Sequence, residues 1–249
     1  MEKSKEIIQV KNLQVSFAER TVLQDISFAI YPNQVTVILG GSGSGKTTIL
    51  KHLIGLMPVQ AGEVNVLGRN LSSIEEEQQE NLYHKIGVFF QNGALLNSMT
   101  VAENIALPIE QHTNLSGELL EQVVRLKLKL VNLEQAYDLY PSELSGGMLK
   151  RAALARAIAL DPPLLFCDEP GAGLDPISLA SLDELILNLK NQLGISIVLV
   201  THEVASIMRL ADRIIFLDKG KVLFEGALKD ALEKDIELID RFFNKGKRL

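Results

Sequence analysis

The chain has 249 residues, of which 47% are hydrophobic and 22% are charged, and its net charge is −6. The hydrophobic fraction is enough for a sizeable core, and the length predicts one large α/β domain or one domain with a subdomain. The acidic balance argues against nucleic acid as the main partner, and the single Cys167 excludes an internal disulfide framework. Neither a signal peptide nor an apolar run near the roughly 18 residues that span a bilayer occurs in the sequence. We therefore expect a soluble, intracellular chain that reaches a membrane only through a partner.

The first part of the chain predicts strands around a glycine-rich loop. A helix is expected from about Lys46 to Leu56, and a charged surface helix over 72–85, begun by a capping box of Ser73 and Glu76. Apolar, β-branched runs predict the strands, which lie at 7–17, 21–30, 34–39, 62–68 and 86–90.

The remainder predicts a helical insert followed by more strands. Residues from about Gln91 to Leu160 are mostly helical in pattern, and a further helix is expected at 177–193. It separates two apolar runs, 164–168 and 195–201, which are typical of parallel strands buried on both faces. Residues 213–226 predict a hairpin that turns at Asp218 to Gly220.

The predicted fold class is therefore α/β, with a parallel-sheet core, an antiparallel β layer and a helical insert. We expect a single domain over residues 1–249. Its catalytic core with the β layer is predicted at 1–90 and 161–249, and its helical subdomain at about 91–160.

Residues 40–48, GGSGSGKTT, follow a strand and open a helix, as the phosphate loop of a nucleotide-binding protein does. Gly40, Gly45, Lys46 and Thr47 match G-x-x-x-x-G-K-[ST], whereas a dinucleotide fingerprint fails because Lys46 replaces its third glycine. Glycines let backbone N–H groups surround phosphates, and the helix N-terminus favours their charge. We expect Lys46 to contact the β- and γ-phosphates and Thr47 to ligate Mg²⁺. The alternative is a chance glycine turn. The predicted phosphate-binding residues are Gly40, Gly41, Ser42, Gly43, Ser44, Gly45, Lys46, Thr47 and Thr48.

Three other predicted strands end in polar residues, at the edge where open parallel sheets bind ligands. After 164–168, Asp168 is a candidate Mg²⁺ ligand and Glu169 a candidate general base for the attacking water; the alternative is an exposed acidic pair before a proline turn. His202 could reach a γ-phosphate, or be a structural histidine. Gln91 could contact Mg²⁺ or the attacking water, or be a polar loop residue.

Six elements occur in one order along the chain. They are Phe17, GGSGSGKT at 40–47, Gln91, LSGGM at 144–148, LLFCDEP at 164–170 with GLDP at 173–176, and His202. Together they resemble the nucleotide-binding subunit of ATP-binding cassette (ABC) transporters over about residues 7–226. The resemblance implies an ATPase that uses ATP and Mg²⁺, with Glu169, His202 and Lys46 in catalysis. It also implies a homodimer that holds two ATP molecules between its subunits.

The resemblance implies that Ser145, Gly146 and Gly147 contact the γ-phosphate of ATP held by the partner subunit's phosphate loop. The resemblance then explains why the first turn of the helix contains two glycines, although each glycine destabilises a helix by about 1 kcal/mol relative to alanine. They leave N–H groups accessible to an anion at the positive end of the helix dipole. The alternative is that Ser145 simply caps a surface helix.

The resemblance extends to three further residues. Asp175 in GLDP is implied to lie in a loop that crosses the dimer interface and couples the two sites. Phe17 and Val22 are implied to form the platform on which adenine stacks. The alternative for Phe17 is a core aromatic.

Met148 stands where the family usually has glutamine, and LSGGM is similar to the ATPases of Mla/MCE-type lipid transport systems. Residues 89–109 are similar to the same group, which implies that a permease helix docks near Gln91 to Ile109. The implied function is phospholipid transport across the bacterial inner membrane and envelope. The subunit would lie on the cytoplasmic face of the inner membrane, with MCE-type lipid-binding and accessory subunits. Some ATPases of lipid systems have a long C-terminal tail that reaches across the dimer; the given sequence ends with DRFFNKGKRL at 240–249, so this contact is not assumed.

Two alternatives remain at this point. The same cassette could serve another cargo, such as a polar amino acid or a small hydrophobic molecule. A non-transport ABC protein, acting in DNA repair or on the ribosome, is disfavoured by the single cassette, the acidic charge and the lack of heptads.

Overall fold

The computed structural model describes residues 5–18 and 20–245, which form two compact units. The first unit comprises the described residues up to Leu82 and from Ser196 onward, and the second comprises Tyr83–Ile195. The predicted boundaries of the helical subdomain, near residues 91 and 160, stay a prediction. Residues 1–4, 19 and 246–249, including the end of the C-terminal tail, lie outside the described residues.

The N-terminal part of the chain is mainly β-structure, as predicted. Its elements are β1 (Ile8–Phe17), β2 (Arg20–Ile30), β3 (Val35–Gly40), α1 (Lys46–Leu53), β4 (Ala61–Val66), β5 (Arg69–Asn70) and α2 (Glu76–Tyr83). The prediction that Ser73 caps the second helix is wrong, because that helix begins at Glu76. The Ser72 N–H instead donates to Asn70 Oδ1 at 2.9 Å, so that a turn occupies the residues where the helix was expected.

The middle of the chain is helical between two strands. Its elements are β6 (Ile86–Phe89), α3 (Val101–His112), α4 (Gly117–Leu130), α5 (Gly146–Ala157), β7 (Leu164–Asp168) and α6 (Pro176–Leu193). The remaining elements are β8 (Ser196–Val200), α7 (Val204–Leu210), β9 (Arg213–Asp218), β10 (Lys221–Ala227), α8 (Leu228–Glu233) and α9 (Glu237–Lys245). The sequence analysis missed α7, α8 and α9, which have at most nine residues each and so show little periodicity.

The first unit contains an antiparallel layer and a set of mostly parallel strands. The antiparallel layer has the order β2-β1-β4-β5. In the other set of strands, β3 pairs in parallel with both β8 and β9, and β9 forms an antiparallel hairpin with β10. Every residue of β3 and β8 is buried, as expected for parallel strands covered on both faces. The hairpin turns at Lys219 and Gly220, with φ of 45° and 76°, which confirms the predicted turn.

The second unit combines one parallel strand pair with helices. Strands β6 and β7 pair in parallel with Ile86 opposite Leu164, and α3, α4, α5 and α6 supply the helical part. The α/β class, the antiparallel layer and the helical insert are thus confirmed. Within the described ranges, none of the helices has the length and apolar character to cross a bilayer.

Candidate nucleotide site

The phosphate loop runs from the end of β3 to the start of α1, and two of its glycines are sterically required. Gly40 has φ of 148°, and a Cβ there would lie 2.2 Å from Leu217 O. Gly45 has φ of 104°, and a Cβ there would lie 2.4 Å from Leu23 Cδ2. An L side chain fits at neither position, so the motif glycines fix the turn that joins strand to helix.

The inner part of the same loop is open and polar. A Cβ at Gly41 or Gly43 would meet no heavy atom within 4 Å. Lys46 Nζ donates to Gly40 O at 2.9 Å and to Gly41 O at 3.0 Å. Ser44 Oγ is buried and has no hydrogen-bond partner among the described residues. Gly45 brings no side chain to cap α1, and a helix N-terminus without a side-chain cap suits an anion such as phosphate.

The aromatic platform expected at Phe17 lies at the end of β1. Phe17 is 44% exposed and pairs with Arg20 of β2, so it is not a core aromatic. Val22, on the same β2 strand, is half-buried. An exposed ring next to a half-buried aliphatic residue suits a planar ligand, although adenine stacking stays a prediction.

His202 leaves the same sheet edge as the phosphate loop. Ile38 of β3 is paired with Val200 of β8, and Gly40 and His202 each lie two residues beyond that pair. His202 is exposed, and its Nε2 lies 3.9 Å from Glu203 Oε1. The first unit therefore brings His202 and the phosphate loop to one edge, as the strand-end argument predicted.

The second unit arranges its strand-end residues in the same way. Phe89 of β6 is paired with Cys167 of β7, and Gln91 and Glu169 each lie two residues beyond that pair. Asp168, the last residue of β7, is half-buried. Glu169 has φ of 44°, a left-handed conformation that costs a non-glycine residue about 1 kcal/mol. Such strain is typical of functional sites, because surrounding structure has to maintain it.

The LSGG segment begins α5. Ser145 is the N-cap residue, and its Oγ accepts the Met148 N–H at 3.3 Å. Ser145 therefore does cap the helix, but capping does not account for the two glycines that follow. The glycines need a different explanation. A Cβ at Gly146 would lie 3.9 Å from Leu174 Cδ2, and one at Gly147 would lie 3.8 Å from Ser178 Oγ, both ordinary contact distances. Neither has positive φ, so nothing described in this subunit requires glycine at these two exposed or half-exposed positions.

Asp175 has a structural role that the sequence analysis missed. It is the N-cap of α6, and Oδ1 accepts the N–H groups of Ile177 at 3.0 Å and Ser178 at 3.1 Å. The Ser178 hydroxyl donates to Oδ2, and this hydrogen bond is the main cause that lowers the pKa of Asp175 below its usual range. The side chain of Ile177 is 83% exposed on the same turn. The predicted coupling across a dimer stays a prediction.

Two cationic residues of α5 were also missed. Lys150 Nζ donates to Gln91 O, and Arg156 Nη1 donates to Ala94 O at 2.7 Å. Both bond the backbone of the loop that carries Gln91. The only sequence signal was the presence of Lys150, Arg151 and Arg156 in an alanine-rich helix.

Comparison with a family model, with other proteins and with solved structures gives ATP-binding cassette proteins in each case. The profile of the ABC transporter family matches residues 23–172. The chain is 37% identical to the intermembrane phospholipid transport system ATP-binding protein MlaF of Haemophilus influenzae, over 94% of this chain and 89% of that protein. It is 36% identical to the probable ribonucleotide transport ATP-binding protein mkl of Mycobacterium leprae, over 97% of this chain and 70% of that protein. A dimeric, post-hydrolysis structure of the ATP-binding cassette MJ0796 with ADP and Pi matches with a TM-score of 0.80 and 30% identity, over 89% of this chain and 98% of that one.

Proposed function

This chain belongs to the ABC transporter family, as an ATPase of that family, and we propose that it drives phospholipid transport through a partner permease. The transport would cross the bacterial inner membrane and envelope, with the ATPase on the cytoplasmic face of the inner membrane. The 37% identity to MlaF over 94% of this chain supports the cargo. The LSGGM segment, in which Met148 stands in place of the family's usual glutamine, resembles that of the lipid-transport group and also favours this cargo.

The phosphate loop would bind the triphosphate of ATP. Backbone N–H groups at the start of α1 and Lys46 supply positive potential, and the buried Ser44 Oγ supplies a polar group without a described partner. Phe17 and Val22 would hold the adenine. Because the loop's shape is fixed by Gly40 and Gly45, little reorganisation is needed when ATP binds.

Mg²⁺ fits the donor set that the chain provides. Thr47 offers a hydroxyl in the first turn of α1, Asp168 a carboxylate, and Gln91 an amide oxygen, and hard divalent cations prefer oxygen ligands of these kinds. When bound, the ion would neutralise charge on the β- and γ-phosphates.

Glu169 would orient and deprotonate the attacking water, and His202 would contact the γ-phosphate. Glu169 has a left-handed backbone conformation, with φ of 44°, directly after Asp168 at the end of β7. Hydrolysis then depends on positioning and electrostatics, with Lys46 stabilising charge on the transferred group.

The remaining phosphate contacts would come from a second copy of the chain. Gly146 and Gly147 have room for a methyl group and ordinary φ values, so the absence of side chains there has no use within one subunit. It is explained if the first turn of α5, with Ser145, closes over ATP held by the partner subunit. Such an arrangement gives a twofold homodimer with two ATP molecules, in which Asp175 and its neighbours would couple the sites. The free space and the ordinary φ values at Gly146 and Gly147 are the observation on which the proposed mechanism mainly depends.

The permease would dock near Gln91 to Ile109, and MCE-type lipid-binding and accessory subunits would complete the system. In that arrangement ATP binding closes the ATPase dimer, hydrolysis reopens it, and the docking segment transmits the movement to the permease.

The cargo is tested by reconstitution. The ATPase and a candidate partner permease are placed in proteoliposomes, and ATP-dependent transfer of a fluorescent phospholipid to acceptor vesicles is measured. A parallel assay measures uptake of radiolabelled ribonucleotides, because the M. leprae relative is named for that cargo. We expect lipid transfer with wild-type ATPase and none with Glu169→Gln. ATP hydrolysis that moves ribonucleotide, an amino acid or a small hydrophobic molecule instead would leave the ATPase assignment intact and overturn the lipid cargo.

A further inference from the structure

A loop in the second unit, residues 91–100, joins β6 to α3 and carries Gln91; we name it the coupling loop. Its first four residues lie against α5, the helix that the LSGG segment begins. Lys150 Nζ donates to Gln91 O, and Arg156 Nη1 donates to Ala94 O at 2.7 Å. Two positively charged side chains of one helix thus bond two carbonyls of one short stretch of backbone.

These bonds are made at a desolvation cost. Lys150 is only 7% exposed, and its ammonium lies 5.6 Å from the centroid of the Phe89 ring. Burial lowers the pKa of Lys150 and also that of Arg156. A buried cation is tolerated when strong acceptors compensate for lost water, and apolar side chains would cover the same surface at lower cost. The placement therefore indicates that the loop has to be held in one conformation.

The backbone of the coupling loop is strained where it is held. Gly93 and Ala94 are consecutive left-handed residues, with φ of 74° and 52°. For Ala94 this conformation costs about 1 kcal/mol and persists only when contacts enforce it. Gly93 lies directly on the helix, since a Cβ there would be 3.1 Å from Leu149 Cδ2 and 3.2 Å from Ala153 Cβ.

The far end of the coupling loop is fixed to α3. The side chain of Asn104 is fully buried. Its amide donates to Leu96 O at 3.0 Å, to Met99 O at 3.2 Å and to Thr100 O at 2.9 Å. Its Oδ1 accepts the Leu96 N–H at 2.7 Å. The loop is therefore bonded to α5 at one end and to α3 at the other.

We propose that Lys150 and Arg156 are positioning residues that clamp the coupling loop onto α5, so that Gln91 and Ser145 move as one rigid piece. A displacement of α3 then reaches both residues together through the loop backbone. This inference rests on the proposed docking of a permease near Gln91 to Ile109. Neither side chain touches ATP; each acts through the carbonyl that it holds.

The clamp predicts a specific kinetic pattern. Binding of ATP depends mainly on the phosphate loop, and both hydrogen bonds of the clamp are made to the coupling loop, so the KM for ATP changes little. The turnover depends on where Gln91 and the LSGG segment are held, so kcat falls when the clamp is lost. The conservative variants Lys150→Arg and Arg156→Lys keep a donor and restore the wild-type value, which a role in packing alone would not predict.

The test uses the full transporter complex in proteoliposomes. Lys150→Met and Arg156→Met remove the donors, Lys150→Arg and Arg156→Lys are the rescue variants, and Lys129→Met on the exposed face of α4 is the matched control. Measurements are kcat, the KM for ATP, stimulation by the permease, and amide hydrogen exchange of the peptide covering 90–96. Loss of either hydrogen bond is expected to lower kcat roughly tenfold and to raise exchange of the Gly93 N–H, which is bonded to Phe90 O at 2.8 Å, by a similar factor.

The inference is supported if both methionine variants have a lower kcat and faster amide exchange within residues 90–96 only, with a KM for ATP within about twofold of wild type. The rescue variants should recover the wild-type kcat and exchange. It is overturned if kcat and the exchange of 90–96 match wild type, or if exchange rises across the whole of α5, which indicates a structural role. Failure of the proposed function is separate: a wild-type complex without lipid transfer or permease stimulation refutes cargo or docking, while the exchange measurement still decides the clamp.

Discussion

The paired substitution Gly146→Ala and Gly147→Ala separates what the fold needs from what catalysis needs. In the isolated subunit each added methyl group meets its nearest neighbour at 3.9 Å or 3.8 Å, so neither is obstructed. Neither residue has a positive φ that alanine would strain. Replacing glycine by alanine under these conditions stabilises a protein by about 0.4–1 kcal/mol per site, chiefly by restricting the unfolded chain.

The pair should therefore stabilise the subunit by about 1–2 kcal/mol, which raises Tm by roughly 2–8 °C for a chain of this size. ATP hydrolysis should fall by about 100-fold or more, because the methyl groups occupy the space through which the first turn of α5 approaches the partner's γ-phosphate. A more stable protein that has lost its activity is the expected outcome.

Tm is measured by circular dichroism without nucleotide, and turnover by phosphate release at saturating ATP. Asn188→Ala, at an exposed position of α6, is the control: it should raise Tm through helix propensity and leave turnover unchanged. If the double variant hydrolyses ATP like wild type, the glycines are not there for a phosphate. If its Tm falls, the estimate of free space at these positions is wrong.

Three further predictions concern single residues. Gly45→Ala should destabilise the chain by about 1–3 kcal/mol in chemical denaturation and abolish binding of a fluorescent ATP analogue, because it adds strain at φ of 104° and places a Cβ 2.4 Å from Leu23 Cδ2. Gly41→Ala meets no heavy atom within 4 Å and should not destabilise the chain. The pKa of Asp175 is lower in the folded than in the unfolded chain, so its stabilising effect is complete above the unfolded-state pKa and is lost as pH falls through the folded-state pKa. Asp175→Ala should therefore have a lower free energy of unfolding than wild type at about pH 7, and the difference should shrink toward about pH 3. A difference that grows in acid would contradict the capping role. Cys167 is fully buried and burial raises its pKa, so a thiol reagent should label it only on unfolding; rapid labelling of the native chain would contradict its place in the core.

The residues that the sequence identified best are those whose chemistry depends on the ends of strands. The phosphate loop is recognisable because its local backbone needs φ of 148° at Gly40 and 104° at Gly45, and that demand appears directly as glycine at fixed spacing. His202 follows the apolar strand β8, whose parallel pairing with β3 brings it to the edge that carries the phosphate loop. Glu169 follows the apolar strand β7, whose parallel pairing with β6 brings it to the edge that carries Gln91.

What the sequence could not predict depends on contacts between distant segments. The helix at 72–85 was predicted too long because Asn70, outside the window of the helical pattern, holds a turn with its side chain. The contacts of Lys150 and Arg156 with carbonyls of residues 91 and 94 join positions about 60 apart in the chain, and no local pattern encodes them. Asp175 was assigned only to a dimer, although the D-P-I-S sequence also fits an N-cap with proline at the first helical position.

Mixing two inactive variants tests most directly whether each ATP is enclosed by two subunits. Lys46→Ala disables the phosphate loop and leaves the LSGG segment intact, and Ser145→Arg does the reverse. If each site is shared between subunits, a heterodimer of the two variants has one of its two sites with both parts functional. When equal amounts are mixed, about half of the dimers are heterodimers, so phosphate release should return to as much as about a quarter of the wild-type rate. If instead each subunit encloses its own ATP, every site in the mixture carries one disabled part, and activity stays at the level of the separate variants.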